Sequence, residues 1–182
     1  MKVKNDFATS TIDVLTAIRE RRSIRRFTSE PVSELHVNTI LEAGLSAPTA
    51  KNKRPFHFLV VKDQERLTKI AKGKTHAWMV DKAPCALVIL GDKGVEDRPE
   101  YLYADCFAAT QNILLAIHGL NLGGVWCGVG AGSSWYHLLK EELELPEHIE
   151  PMAVVALGHP AEEKDRPQIW EQEKIHWEKW GS

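Results

Sequence analysis

The sequence predicts a single α+β domain over residues 1–182, and three observations carry that expectation. Stretches with apolar residues at three- and four-residue steps alternate along the chain with short apolar, β-branched runs. The longest helical stretch, from Glu100 to Leu120, has no proline and no glycine before Gly119. A chain of 182 residues with 43% hydrophobic content is long enough for one well-packed core, burying roughly 70% of the surface its unfolded form exposes.

The elements follow in order. Residues 11–22 place Ile12, Leu15 and Ile18 at helical spacing, with Ser10 or Thr11 as the cap and Asp13 in the first turn. This helix is expected to end in a cluster of Arg21, Arg22, Arg25 and Arg26. Ser33 caps a second helix carrying Leu35, Val37, Ile40, Leu41 and Leu45, which Pro48 stops. Residues 47–55 are then a loop. Phe56 to Val61 reads as a strand, and Asp63 caps a short helix to Lys72. Cys85 to Leu90 is a continuous apolar run between Pro84 and Gly91, as expected of a central strand covered on both faces. After the long helix, 123–128 reads as a short strand with a Gly-rich turn, 135–143 as a helix and 152–157 as a last buried strand. In the tail, Trp170, Trp177 and Trp180 fall at spacings that set them on one helical side. Packing on their own domain is the first expectation, and covering a partner subunit with residues 160–182 is the alternative.

Composition excludes several function classes. No apolar run reaches the ~18 residues of a membrane span, and the N-terminus lacks a secretory core, so a soluble cytoplasmic protein is expected. Cys85, Cys106 and Cys127 are widely spaced, and His118, His137, His148, His159 and His176 are scattered singly, so no metal site is expected. Residues 1–54 carry ten Lys/Arg against six Asp/Glu, and 141–182 carry four against eleven. This asymmetry comes without a stacking series of aromatics, which argues against nucleic-acid binding.

Four segments could carry chemistry. An arginine fork at 21–26 can hold phosphate oxygens while Ser23 donates a further bond; the plainer explanation is cations complementing a helix C-terminus. The loop Ala47-Pro48-Thr49-Ala50-Lys51-Asn52 offers backbone amides, a hydroxyl and a side-chain amide, or is an ordinary helix stop. Gly123, Gly124 and Gly128 permit close approach of a flat ligand beside Trp126 and Cys127, or form a tight turn. Gly158-His159-Pro160 closes the last strand, with Lys164 and Arg166 following as two cations or as a solvated charge run.

In order and separation these segments resemble the FMN-dependent nitroreductase family across roughly residues 12–170. Arg21, Arg22, Ser23, Arg25 and Phe27 match its Arg-Arg-Ser-x-Arg-x-Phe opening, and Ala47, Pro48, Thr49, Asn52 and Pro55 its second loop. Asp105 to Ala116 matches its long helix, Leu122, Gly123, Trp126 and Gly128 its turn, and Gly158, Pro160 and Arg166 its ending. The resemblance implies a three-layer α/β/α sandwich with a central mixed, mainly antiparallel sheet. It also implies a homodimer holding two FMN molecules in clefts between subunits.

By position, Arg21, Arg22 and Ser23 would grip the phosphate with Lys164 and Arg166, while Pro48, Thr49, Ala50 and Asn52 would come from the other subunit. Trp126, Cys127 and Gly128 would line the ring edge. Arg25, nearer the ring, is the expected catalytic residue, its fixed charge raising the flavin potential. Arg54 stands where the family commonly has glutamine and could tune the cofactor, select acidic substrates or face solvent.

The implied activity is ping-pong hydride transfer from NADH or NADPH through flavin N5 to nitroaromatics, quinones or similar electron-poor acceptors. No Gly-x-Gly-x-x-Gly fingerprint is present, consistent with a nicotinamide that binds transiently on the flavin. Cys127 is expected to pack rather than to react. Reductive dehalogenation, flavin fragmentation or flavin storage on the same fold are the alternatives.

Overall fold

The computed structural model describes residues 7–10, 12–166 and 168–181. Its elements are α1 (Val14–Glu20), α2 (Glu34–Leu45), β1 (Phe56–Val61), α3 (Gln64–Lys72), β2 (Cys85–Asp92), α4 (Pro99–Gly119), β3 (Gly123–Gly128), α5 (Ser134–Glu142) and β4 (Ile149–Gly158). Short 3-10 segments occur at Ala50–Asn52, Thr75–Lys82 and Gln172–Lys174.

The strands form one sheet in the order β1-β2-β4-β3, and every named pairing is antiparallel. The parallel component of this mixed sheet is a single bridge between Ser23 and Gly124. The apolar run in β2 is explained by its central place. Ala86, Val88 and Leu90 enter the core under α3, α5 and Thr75–Lys82, while Cys85, Leu87 and Ile89 enter the core under α2 and α4. Two helical layers therefore sandwich the sheet. Each fully buried Leu or Ile on these faces contributes about 1.5–3 kcal/mol, and α4 alone buries Leu102, Ile113, Leu114 and Ile117.

Element positions follow the sequence closely except at four places. β4 begins at Ile149 rather than Met152, because the register shift between Ile89 and Leu90 of β2 admits Pro151 into a central strand. The segment Thr75–Lys82 has no strong helical periodicity, yet it buries Ala77, Met79 and Val80.

The first helix is shorter than expected. Asp13 rather than Ser10 caps it, its carboxylate accepting from the N–H groups of Leu15 and Thr16, and Thr11 lies outside the described residues. Helix α1 ends at Glu20 with Arg21 as its C-cap, and the Arg22 guanidinium donates to the Arg19 and Arg21 carbonyls, so the first two arginines do close the helix as expected. From Ser23 to Phe27 the chain then lies along the sheet, bridging Gly124 through Ser23 and Pro160 through Phe27.

The tail also departs from expectation. Among its described residues it contains only the turn Gln172–Lys174, and Trp170, Trp177 and Trp180 are 78%, 74% and 88% exposed. Trp180 packs on His176 within the tail, with centroids 4.2 Å apart, and all three tryptophans keep most of their surface exposed. Val14, Leu15 and Ile18 of α1 are likewise more than half exposed, only Ala17 of that helix being buried.

Candidate functional site

Two glycines bring the arginine segment onto the sheet. A Cβ on Gly123 would lie 2.7 Å from Ile24, and one on Gly158 would lie 2.6 Å from the Pro84 ring and 3.2 Å from Phe27. These close approaches explain why β3 and β4 meet in a glycine pair, Gly123 opposite Gly158. They also correct the expectation that Gly123 and Gly124 make room for a ligand, since Ile24 and Ile117 already fill that space. Gly128 differs. A Cβ there would meet only the Trp126 indole at 3.9 Å, so its glycine leaves an open surface.

Residues far apart in sequence converge beside this segment. Arg22 Nε donates to the Asp165 carbonyl at 2.9 Å, and Lys164 Nζ donates to the Ser23 carbonyl at 2.6 Å. Glu162 accepts from the backbone N–H of Arg25 at 2.6 Å and of Arg26 at 3.3 Å, and lies 3.4 Å from Lys164. Hydrogen bonds from Ile24 to Gly124, from Thr28 to His159 and from Ala161 to Arg26 complete the seam. Arg22, Lys164 and His118 border an open cleft of about 420 Å³. Burial holds the His118 pKa below its ordinary value.

The cations are not all spent internally. Arg21 is half-buried, and its guanidinium has no hydrogen-bond or ion-pair partner among the described residues. Burial lowers its pKa, and the like charge of Arg22 adds to the effect. Two guanidiniums side by side, one without a counter-ion, form a site that an anion would stabilise. Arg166 is exposed and has no described partner.

Strand β3 is the edge strand of the sheet, laddered with β4 and bridged at Gly124 by Ser23. The Gly124 carbonyl accepts from Ile24, and Val129 N–H donates to Met152 of β4. By the alternation of an antiparallel ladder, the backbone groups of Trp126 and Gly128 therefore face outward. Side chains alternate too: Trp126 packs on Phe107 of α4 with centroids 5.0 Å apart, whereas Cys127 is buried on the opposite face, 3.6 Å from Met79 sulfur. Burial raises the Cys127 pKa, as expected of a packing thiol. Lys74 also reaches this edge, its Nζ donating to the Gly128 carbonyl at 2.5 Å. No motif in the sequence singled it out, because it precedes a segment without strong periodicity.

The second loop lies elsewhere. Ala50 N–H donates to the Asp105 carboxylate at 3.0 Å, Arg54 N–H donates to the Thr49 hydroxyl at 3.1 Å, and Lys53 pairs with Glu96 at 3.0 Å. Asn52 N–H also donates to the Thr49 carbonyl at 3.2 Å, so most of the loop's expected free donors are engaged within the chain, while the Asn52 side-chain amide has no described bond. Lys51, Asn52 and Arg54 adopt left-handed backbone angles, φ 53°, 55° and 55°, a conformation that non-glycine residues seldom take.

The loop enters β1 at Phe56, opposite Gly91, whereas the arginine segment crosses the sheet at Gly124. Asp105 and Ile117, which face the two regions, are about 18 Å apart along α4. β1 and β3 are three strand spacings apart, about 14 Å. One chain therefore holds these motifs at diagonally opposite corners of its sheet.

Comparison with known proteins places this arrangement. The Nitroreductase family model matches residues 18–78 and 72–159. A protein of Methanothermobacter thermautotrophicus, provisionally named NADH dehydrogenase/NAD(P)H nitroreductase, is 39% identical over 175 residues, covering 96% of this chain and 92% of its own. A Parabacteroides distasonis crystal structure with the same provisional name superposes with a TM-score of 0.88 at 31% identity, covering 92% of this chain and 98% of its own. A provisionally named nitroreductase from Desulfovibrio desulfuricans, solved with FMN, gives a TM-score of 0.82 at 34% identity, covering 94% of this chain and 99% of its own.

A three-layer sandwich with a cation-rich sheet edge is thus the setting of an oxidoreductase fold. The chain belongs to the nitroreductase family.

Proposed function

We propose that this protein is a homodimeric, FMN-dependent oxidoreductase that takes reducing equivalents from NADH or NADPH and delivers them in ping-pong fashion to nitroaromatic, quinone or similar acceptors. The observation that carries the reading is the half-buried Arg21 guanidinium, without a partner among the described residues, near Arg22, Ser23 and Lys164 at an open sheet edge. That set fits a phosphate. Beyond its bonds to the Ser23 carbonyl and Glu162, the Lys164 ammonium has a donor left, and so has the Arg22 fork beyond its bonds to the Asp165, Arg19 and Arg21 carbonyls; Arg166 follows on the same segment.

The flat portion of FMN suits the β3 edge, where Gly128 presents no Cβ and the Trp126 and Gly128 amides face outward. FMN bound there supplies the hydride-accepting and hydride-donating chemistry that no side chain of this chain possesses. The protein's share is binding, orientation and electrostatics. Arg25, whose charge is felt at Cys127, and Lys74, bonded to Gly128, place positive charge along that edge. Such charge favours a cofactor that becomes more negative on reduction. Cys127, inward and with a raised pKa, takes no part.

Pro48, Thr49, Ala50 and Asn52 are too far from this corner to serve the same site within one chain, so a second subunit contributes them. The exposed α1 stripe and the tail tryptophans give that subunit apolar surface to cover. The test is the visible spectrum of the purified protein and its anaerobic bleaching by NADH or NADPH, followed by restoration of colour with a quinone. A colourless dimer that takes up no FMN overturns the proposal.

A further inference from the structure

A second cationic surface lies next to Arg25, and the reading above does not use it. Arg25, Arg26, Phe27, Thr28, Trp78 and Lys82 line an open groove of about 320 Å³, and Ser29 adds a hydroxyl. Thr28, Ser29 and Lys82 also border a neighbouring groove of about 460 Å³, so the two form one continuous trough.

Three features of this trough point to a ligand. The Arg26 guanidinium is exposed and has no described partner. Its backbone N–H is tied to Glu162, so the main chain is fixed while the side chain stays available. Trp78 is 50% exposed although Ala77, Met79 and Val80 around it are buried. Its indole is thus held on a fixed backbone at the surface. Lys82 shares its charge with Asp81 at 2.6 Å, and Asp81 is held in turn by the Thr68 hydroxyl, so Arg26 carries the uncompensated charge. A fixed indole, a free guanidinium and two hydroxyls form a combination that stacks a purine and binds phosphate.

We propose that this trough seats the phosphate-bearing adenosine half of the nicotinamide donor, with adenine on Trp78 and phosphate on Arg26. The inference rests on the proposed flavin site, because Arg25 belongs to both. It also gives a physical reason why no Gly-rich dinucleotide fingerprint is needed: side chains rather than a helix N-terminus would meet the phosphate. The phosphate could be the pyrophosphate common to both donors or the 2′-phosphate found only in NADPH.

The experiment measures kcat and KM with NADPH, NADH and reduced nicotinamide mononucleotide, which lacks the adenosine half, for wild type, Arg26→Ala and Trp78→Ala. Each variant is expected to raise the KM of a dinucleotide donor about tenfold, the loss of one charge-assisted or stacking contact. Its kcat and the mononucleotide KM are expected to stay unchanged. A loss for NADPH alone assigns the 2′-phosphate, and equal losses for both dinucleotides assign the pyrophosphate. Equal changes for all three donors, or for none, overturn the proposal.

Flavin content and bleaching are read in parallel, so that failure of the flavin reading shows as protein that is colourless or that no donor bleaches. Calorimetric titration of ADP-ribose and its 2′-phosphate into the same proteins reads the trough without any turnover. Binding abolished by Trp78→Ala supports the proposal, and absence of binding to wild type overturns it.

Discussion

The two corners of the sheet that carry the family motifs are built on opposite principles. At the β3 corner, segments about 140 residues apart in sequence are stitched together by Arg22, Lys164 and Glu162, and cations remain to spare. At the β1 corner, a loop of nine residues closes on itself, and the buried acids Asp105 and Glu96 hold its donors. The first corner has charge without a partner, and the second has shape with its charges answered. In a site shared between subunits, the β3 corner would therefore supply affinity and the β1 corner a rigid wall.

The largest expected effect breaks the first half of that contrast. Arg21→Ala removes the guanidinium that lacks an internal partner, so it is expected to leave the thermal midpoint nearly unchanged. FMN affinity should fall by about 2–3 kcal/mol, or roughly 30- to 150-fold, measured by fluorescence titration of FMN. Equal losses of stability and affinity would mean that Arg21 serves the fold.

A pair of glycines separates fold from site at the next level. Gly158→Ala forces a Cβ to 2.6 Å from Pro84, and overpacking of this kind costs about 1–3 kcal/mol. It should lower the melting temperature and loosen the seam to Phe27. Gly128→Ala adds a Cβ with nothing nearer than 3.9 Å, so folding should be unaffected while FMN binding weakens about tenfold through lost contact with a flat ligand. Unchanged FMN affinity in Gly128→Ala would move the ring away from this edge.

At the β1 corner the expected signature is pH dependence. Burial pushes the Glu96 carboxyl up, but Lys53 and Arg98 outweigh it and hold its pKa down to about 2, against an ordinary 4.5. Because the folded value is the lower one, this contribution to stability is fully present above about pH 4.5 and is lost as pH falls toward 2. Melting temperatures measured between pH 6 and 3 should therefore decline less steeply in Glu96→Gln than in wild type. Parallel slopes would show that the loop does not depend on this ion pair.

Much of the β-sheet and of α2 to α5 was legible because burial on one or two faces writes a period of two, a continuous run or a helical step into the sequence. Ser33 and Asp63 announced their helices by capping chemistry that needs no tertiary context. What stayed hidden depends on contacts distant in sequence. Arg21 and Arg22 close helix α1 as a helix end, but the extended course from Ser23 to Phe27 depends on the room that Gly123 and Gly158 leave against the sheet. Asp105 and Glu96 carry no local sign that they anchor a loop, and Lys74 none that it reaches Gly128. Three tryptophans at helical spacing in the tail suggested one side of a helix. Among the described residues the tail forms only the turn Gln172–Lys174, and the three tryptophans are mostly exposed.

Arg54 offers the smallest and most discriminating effect. It replaces the glutamine usual in the family and could have put a further cation on the cofactor. Instead one guanidinium nitrogen donates to the Leu45 carbonyl at 2.7 Å, and the group lies 5.6 Å from the Phe56 ring centroid. Leu45 is the last residue of α2, so the charge rests on the negative end of that helix. A cation held this way adds to the wall and little to the field at the cofactor. Arg54→Gln should therefore change FMN affinity by less than about twofold, far below the Arg21 effect, and leave the flavin midpoint potential nearly unmoved. The melting temperature should fall slightly as one hydrogen bond, worth about 1 kcal/mol, is weakened. A clear drop in potential without a change in stability would reverse the assignment, making the β1 corner a source of charge as well as of shape.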